Sequence, residues 1–547
     1  MFSKMLFAVS LSIASLTANA SPNTLGTVHF QTSCSPSVTT EFNQAVALLY
    51  SFEYDEARDQ FVEISRKDPN CAMAKWGEAM TYFHGLWGEY NWAGGAKAAQ
   101  EARDIASRVP ATTAREKAYI AAISEVFSEE ARKLSDNDNN KPNAQGYSEP
   151  DRQPEVAYKE KMAALHQAFP DDDEGTIFYA LSLNIIARRA DKQHPELHEC
   201  TALLNPLFQR MPNHPGIAHY LVHCNDNPEM AKDGLVAARK YAQIAPASAH
   251  ATHMPSHIFA QLGLWDEMVA SNRASLAASE ADKRASVCQT VGNSLHAMYF
   301  LTFALLQKGE VKEARDVLTH AKGVTSSAPG ADRCDDDDGL VIAGYTMESG
   351  EWERAKDIKL NISPYGMIPG ILWMVKGVGA ARTGDLDGAR HAEAQLEKMR
   401  DSSSSHSHHG GMMMDSGPEA ARLVVAGWIA HESGKKEEGE TMLRQASDMQ
   451  DRMGGSNSTF KPYREMLADM LMLDGKNKEA LEAYSAVLGH HPNRFNSLYG
   501  AGSAAFAMGD SKAGQQYYSD LLKFTQGSER PELELARKKL TQLSASK

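Results

Sequence analysis

Two histidine pairs repeat in register along this chain. His219 and His223 stand four residues apart, and His253 and His257, also four apart, follow 34 residues later. Residues four apart share one face of a helix, with Cβ atoms about 5–6 Å apart. A 34-residue interval is the length of a helix–turn–helix repeat, a unit whose apolar stripe is covered only by its neighbours. That recurrence constrains the fold more than composition does. A chain of 547 residues is far longer than one compact domain, but an array that grows by stacking accommodates it.

Other units carry the same punctuation. Turn signals recur at Gly263-Leu264-Trp265, Gly309-Glu310-Val311, Gly350-Glu351-Trp352, Gly384-Asp385-Leu386, Gly434-Lys435-Lys436, Gly475 and Gly509. Small residues follow at Ala314, Ala355 and Ala389, where close helix approach needs them. The first clear unit starts near Val38 and places Ala45, Ala57, Phe61 and Pro69 at repeat positions. Two C-terminal units, from Lys461 and Phe495, place Ala480, Tyr484 and Pro492, then Ala501, Gly502 and Tyr518. This pattern resembles the tetratricopeptide (TPR) family. It implies an all-α superhelical solenoid of roughly ten to twelve hairpins.

The organisation read from these signals is a signal peptide at 1–20 and N-terminal hairpins at 21–134. An Asn/Asp/Pro-rich loop (135–154) precedes the central hairpins with the histidine face (155–322), and a second loop (323–338) precedes further hairpins (339–400). A His/Met-rich loop (401–418) leads to C-terminal hairpins and a capping helix (419–547). The last loop lacks periodic apolar positions and is expected to be dispensable for folding. More narrowly, Cys71 to Gly77 (CAMAKWG), His250 to Phe259 (HATHMPSHIF) and Pro492 to Phe495 (PNRF) resemble a group of secreted bacterial TPR proteins without an assigned activity. That resemblance implies architecture and motif positions, and no reaction.

Lys4, the apolar stretch Met5 to Leu16 and the Ala18-Asn19-Ala20 site read as a secretory signal cleaved before Ser21. The expected location is the periplasm or the extracellular space of a bacterium. The apolar run is too short to span a bilayer, so no stable membrane insertion is expected. Six cysteines remain after cleavage, and some can pair in an oxidising compartment; six allow 15 connectivities, which sequence does not choose among. A net charge of −14 argues against nucleic acid as a partner, because such binding needs a basic face. The runs Asp171 to Asp173 and Asp335 to Asp338 lack the spaced ligands and glycine of an EF-hand and read as solvated loop segments.

Register places the histidines. With repeats starting at Pro215 and Ala249, the pairs occupy positions 5 and 9 of two successive first helices, and His250 takes position 2. A further unit starting near Leu295 gives His296 position 2 as well. Positions 2, 5 and 9 fall within about 60° of arc. In TPR proteins this face resembles the lining of the concave groove, so the expected metal set is His219, His223, His250, His253, His257 and His296. His219, His223, His253 and His257 should converge, with His250 and His296 at the margin. Histidine-only sets suit Zn, Cu(II) or Ni(II). Nearby Met254, with Met73 and Met80 upstream, tilts the expectation towards copper, with zinc the alternative.

A secondary groove is expected at Met73, Trp76, Met80 and His84, and a weak loop site at His406, His408, His409, Met412, Met413 and Met414. Asp226, Glu229 and Glu267 lie near enough in sequence to be considered as a general base, yet none has the H-E-x-x-H spacing of a metalloprotease. The leading reading is an exported scaffold that holds a protein or peptide in its groove and a transition metal at the histidines. The alternatives are a metalloenzyme built on the same cluster and a metal-free interaction scaffold.

Overall fold

The computed structural model describes residues 25–135, 153–187, 191, 193–283, 285–327, 334, 338–360, 367–403, 417–452, 459–525 and 529–545. The expected signal peptide at 1–20 and the expected His406–Met414 loop site lie outside them. Within them the chain is an all-α, TPR-like solenoid. The only sheet among the described residues is a two-residue hairpin, Phe83–His84 against Glu89–Tyr90.

Antiparallel helix pairs follow one another from Thr39–Tyr50 with Tyr54–Lys67 to Phe495–Ala507 with Ser511–Phe524, and Pro531–Ala545 ends the series. The turn glycines work as their spacing implies. Gly263 and Gly309 close their helices with φ of 66° and 80°, a left-handed conformation that a Cβ disfavours. The turn glycines Gly350, Gly384, Gly434, Gly475 and Gly509 also have positive φ. Small residues permit close crossing: a Cβ at Gly77, in the helix Ala72–Met80, would meet the Phe61 ring of the preceding helix at 2.3 Å.

Boundaries depart from the sequence reading at several points. Helix Val311–Ser327 runs through Gly323, so the expected 323–338 loop is helical at its start. Helices end at Ser135 and resume at Gln153, and end at Ser403 and resume at Gly417, which narrows the other two expected loops. The element after Gly350 is only a short 3-10 helix, Trp352–Asp357. The unit containing His296 begins at Val287, eight residues before Leu295, because the helix Val287–Lys308 is 22 residues long.

Contacts between distant repeats tie the two ends of the solenoid to its central units. The N-terminal segment and first hairpin fold back onto the central units. Thr27 N donates to Asn213 O at 3.0 Å, and Ser248 Oγ donates to Glu53 Oε1 at 2.5 Å. The C-terminal half closes in the same way. Trp265 Nε1 donates to Asn493 O at 3.0 Å, and Phe495 N donates to Gln307 Oε1 at 2.8 Å. Arg494, 1% exposed, bridges the buried carboxylates Glu348 (2.6 Å) and Glu465 (3.0 Å). The PNRF segment is therefore a clasp between units far apart in sequence.

Two large hydrophobic cores result among the described residues, one running from Val28 to Ala237 and the other from Ala218 to Ala504, with a small third cluster of Phe495, Leu498, Leu521 and Leu533 near the C-terminus. The two large cores meet at the helix Pro215–Cys224. Ile217, Tyr220 and Leu221 enter the first core, and Ala218 and Val222 enter the second. The same helix carries His219 and His223. All six cysteines are paired: Cys34–Cys71, Cys200–Cys224 and Cys288–Cys334, each bond joining consecutive cysteines in the sequence. No helix among the described residues is long and apolar enough to cross a membrane.

Candidate metal centre

The helix Pro215–Cys224 starts where register puts it. Pro215 occupies the first turn, and the His214 ring accepts from Ile217 N. The next repeat also starts as read, at Ala249, capped by Ser248 Oγ, which accepts from Ala251 N at 3.0 Å. Pro255, which has no N–H to offer, interrupts this helix. It continues as a second segment, Pro255–Leu262, with His253 before the break and His257 after it.

The six histidines do not form one cluster of four with two at the margin. They form two groups of three: His219, His223 and His250, and His253, His257 and His296. Within each group one ligating atom per residue lies within 4.8 Å of the others. Each group combines an i,i+4 pair with one histidine from the following unit. His250 and His253, three apart on one short helix, belong to different groups.

The ring nitrogens are sorted into two sets. His219 Nδ1 lies 2.6 Å from the Tyr50 carbonyl, which only accepts, so Nδ1 carries the proton. His253 Nδ1 lies 2.8 Å from Asn272 Oδ1, and the orientation of that amide is set by its Nδ2 donating to Met268 O at 2.9 Å. His257 Nδ1 lies 2.9 Å from Asp226 Oδ2. With Nδ1 donating outward, the Nε2 lone pairs face inward. His219 Nε2 is 2.9 Å from His250 Nε2 and 3.0 Å from His223 Nε2, and His253 Nε2 is 3.1 Å from His257 Nε2.

Neutral imidazoles whose lone pairs face each other, as those of His253 and His257 do at 3.1 Å, repel unless a cation lies between them. Burial opposes a proton in that role. It pushes His219 down to about 3 and holds His250 and His253 well below the usual histidine value. A metal fits better. Nitrogens bound at about 2.0–2.1 Å around a tetrahedral ion sit roughly 3.3–3.5 Å apart, a small expansion of the spacing seen here. Outer-sphere acceptors on the far nitrogen are the usual support of metal-bound histidines.

Each triad is packed against one phenylalanine. The Phe52 centroid is 4.4, 5.7 and 5.4 Å from those of His219, His223 and His250. Phe300 is 4.5, 4.9 and 5.1 Å from His253, His257 and His296. Phe52 has φ of 57°, a strained value for a residue with a Cβ, in the turn of the first hairpin.

Other sequence candidates lie elsewhere. Met73, Trp76 and Met80 are core residues at most 2% exposed, not groove lining, because the N-terminal hairpins wrap around that face. His84 stacks on Tyr54 at 3.9 Å, outside both triads. Met254, between His253 and the Pro255 break, is fully buried in the second core. Glu267 pairs with Arg239 at the surface, and Glu229 approaches His194. Of the three acids considered as a base, only Asp226 touches the site.

Asn272, Phe300 and the Tyr50–Phe52 turn were missed. Phe300, four residues after His296 on the same helix, had a readable signal. Nothing in the repeat pattern points to Tyr50, 169 residues from His219.

Fold and site together define an all-α, TPR-like repeat protein with paired histidine triads. Among solved structures the chain is similar to the human IFIT1 dimer with PPP-AAAA, at 10% identity and a TM-score of 0.37 over 88% of this chain and 89% of that one. It is also similar to a Rap protein complexed with Competence and Sporulation Factor, at 11% identity and a TM-score of 0.36 over 76% of this chain and 98% of that one. Both scores are low, and the architecture rests on the chain's own helices. No family model and no curated protein matches the chain.

Proposed function

We propose that this chain is an exported TPR-like scaffold that binds transition-metal ions, copper or zinc, at its paired histidine triads. The observation that carries the reading is the sorting of nitrogens: Nδ1 atoms tied to a carbonyl, an amide oxygen and a carboxylate, and Nε2 atoms turned on one another at 2.9–3.1 Å. A groove that held a peptide by hydrogen bonds would leave those nitrogens facing the ligand. Here the Phe52 turn covers the first triad. Three disulfides support an oxidising compartment and hence export.

The test is metal analysis of mature protein purified without chelators, then equilibrium competition with a chromophoric chelator. Stoichiometric copper or zinc is expected. The double change His253→Ala and His257→Ala should halve the bound metal, because the other triad remains. Metal-replete protein that retains no ion after desalting would sink the reading.

A further inference from the structure

The two triads are neighbours by construction. His250 and His253 lie three apart on one helical turn and serve different groups, so a single rigid element joins the two ion positions. The pairs His219/His223 and His253/His257 come from adjacent helices of successive repeats, and each triad carries its own phenylalanine.

We propose that the two triads form one dinuclear copper centre that binds dioxygen between its ions. The proposal rests on the metal-binding reading above and names the metal, its number and its ligand. The ligand set favours copper over zinc. Each triad supplies three neutral nitrogens, and the acceptors identified on the outer nitrogens include one carboxylate, that of Asp226. Two divalent zinc ions would bring four positive charges into a buried site with little to offset them, and zinc asks for a fourth ligand. Cu(I) carries half that charge, accepts three nitrogens and suits imidazole.

Two adjacent Cu(I) ions match dioxygen in electron count. Each copper gives one electron, O2 takes two and becomes a bridging peroxide, and both coppers end as Cu(II). Copper–oxygen bonds form, the O–O single bond survives, and no proton or further reductant is consumed. Phe52 also lines an apolar cavity together with Tyr54, Met80, Leu86, Phe178 and Tyr220.

The experiment loads mature apoprotein anaerobically with cuprous ion and then admits air. Two coppers per chain should bind. On oxygenation the near-ultraviolet charge-transfer band of bridging peroxide should appear, while the electron paramagnetic resonance spectrum stays silent because the paired Cu(II) spins couple. The variant His253→Ala/His257→Ala should hold one copper, lose the band and gain a resonance signal on oxidation, which mere loss of structure would not produce. If that variant fails to fold, by circular dichroism, His296→Asn at the more open position takes its place.

Two coppers whose oxidised form gives two spins per chain would overturn the shared centre and leave metal binding standing. So would a single copper per wild-type chain, or two coppers that air leaves reduced. Failure to bind any copper while zinc binds would overturn the copper assignment alone, and failure to bind either would remove both readings.

Discussion

His257 Nδ1 and Asp226 Oδ2 lie 2.9 Å apart, both side chains under 10% exposed, and Asp226 Oδ1 takes a second hydrogen bond from Gln261 at 3.2 Å. The carboxylate is thus oriented by one partner and orients the other. It fixes the His257 tautomer and raises the basicity of Nε2. Replacing Asp226 by Asn keeps the shape and removes the charge. Losses of about 10–100-fold in metal affinity are usual for such changes. The expected result is a drop of that size at the His253/His257/His296 triad, with the other triad nearly unchanged, read by chelator competition. Equal weakening of both sites, or of neither, contradicts the arrangement.

Oxidation state gives a second check. The cysteines pair as consecutive neighbours, and each bond ties a loop or helix end to the element beside it. Protein recovered from the exported fraction should begin at Ser21 and show no thiol reactive to alkylation, even when denatured, until it is reduced. Free thiols in denatured exported protein, or a mature chain that keeps Met1, would count against this.

Much of the architecture was legible because a repeat announces itself locally. The starts at Pro215 and Ala249 and the turns at Gly263 and Gly309 follow from residues within one unit. The inward aim of the six histidines follows from helical phase. How they divide does not, because the partner of each i,i+4 pair depends on the crossing of the next helix. His296 sits mid-way along a helix that starts earlier than Leu295, and no local signal marks that. Closure was equally hidden. Tyr50 reaches His219, and Arg494 reaches Glu348, through contacts that cross many repeats and leave no periodic trace. Met73 and Met80 looked like groove lining for the same reason.

Acid sensitivity follows from His491. Burial and the nearby charges of Arg494 and His490 push its pKa down to about 3, below the unfolded value of about 6.5. The unfolded chain therefore binds a proton that the folded one refuses. Stability from this group is complete above about pH 6.5 and is lost as pH falls towards 3, at about 1.4 kcal/mol per pH unit. Urea midpoints should decline between pH 6.5 and 5, before most carboxylates titrate, and His491→Asn should make that decline shallower by about one histidine's share, the rest belonging to the triad histidines. A midpoint independent of pH over this window contradicts the assignment.

The clasp at Arg494 makes the strongest demand on stability. Its guanidinium meets Glu348 at 2.6 Å and Glu465 at 3.0 and 3.3 Å, with all three residues buried. Glu465 is held down at about 2 against the upward push of burial, by Arg494, Lys461 and Ser497. Glu348 in turn takes Gln307 Nε2 at 2.8 Å, and Gln307 Oε1 takes Phe495 N, so backbone and charges are locked together. A buried charge left without its partner costs roughly 3–5 kcal/mol. Arg494→Met strands Glu348 and leaves Glu465 with Lys461 as its one cation at 3.6 Å, and should lower stability by about that amount. Arg494→Lys should not rescue it fully, because one ammonium cannot span both acids as the planar fork does. The triple change Arg494→Met, Glu348→Gln, Glu465→Gln should recover part of the loss, since no charge is then stranded. Chemical denaturation of the three variants separates the outcomes. If Arg494→Met is as stable as the parent, the clasp does not hold the C-terminal units to the centre of the chain.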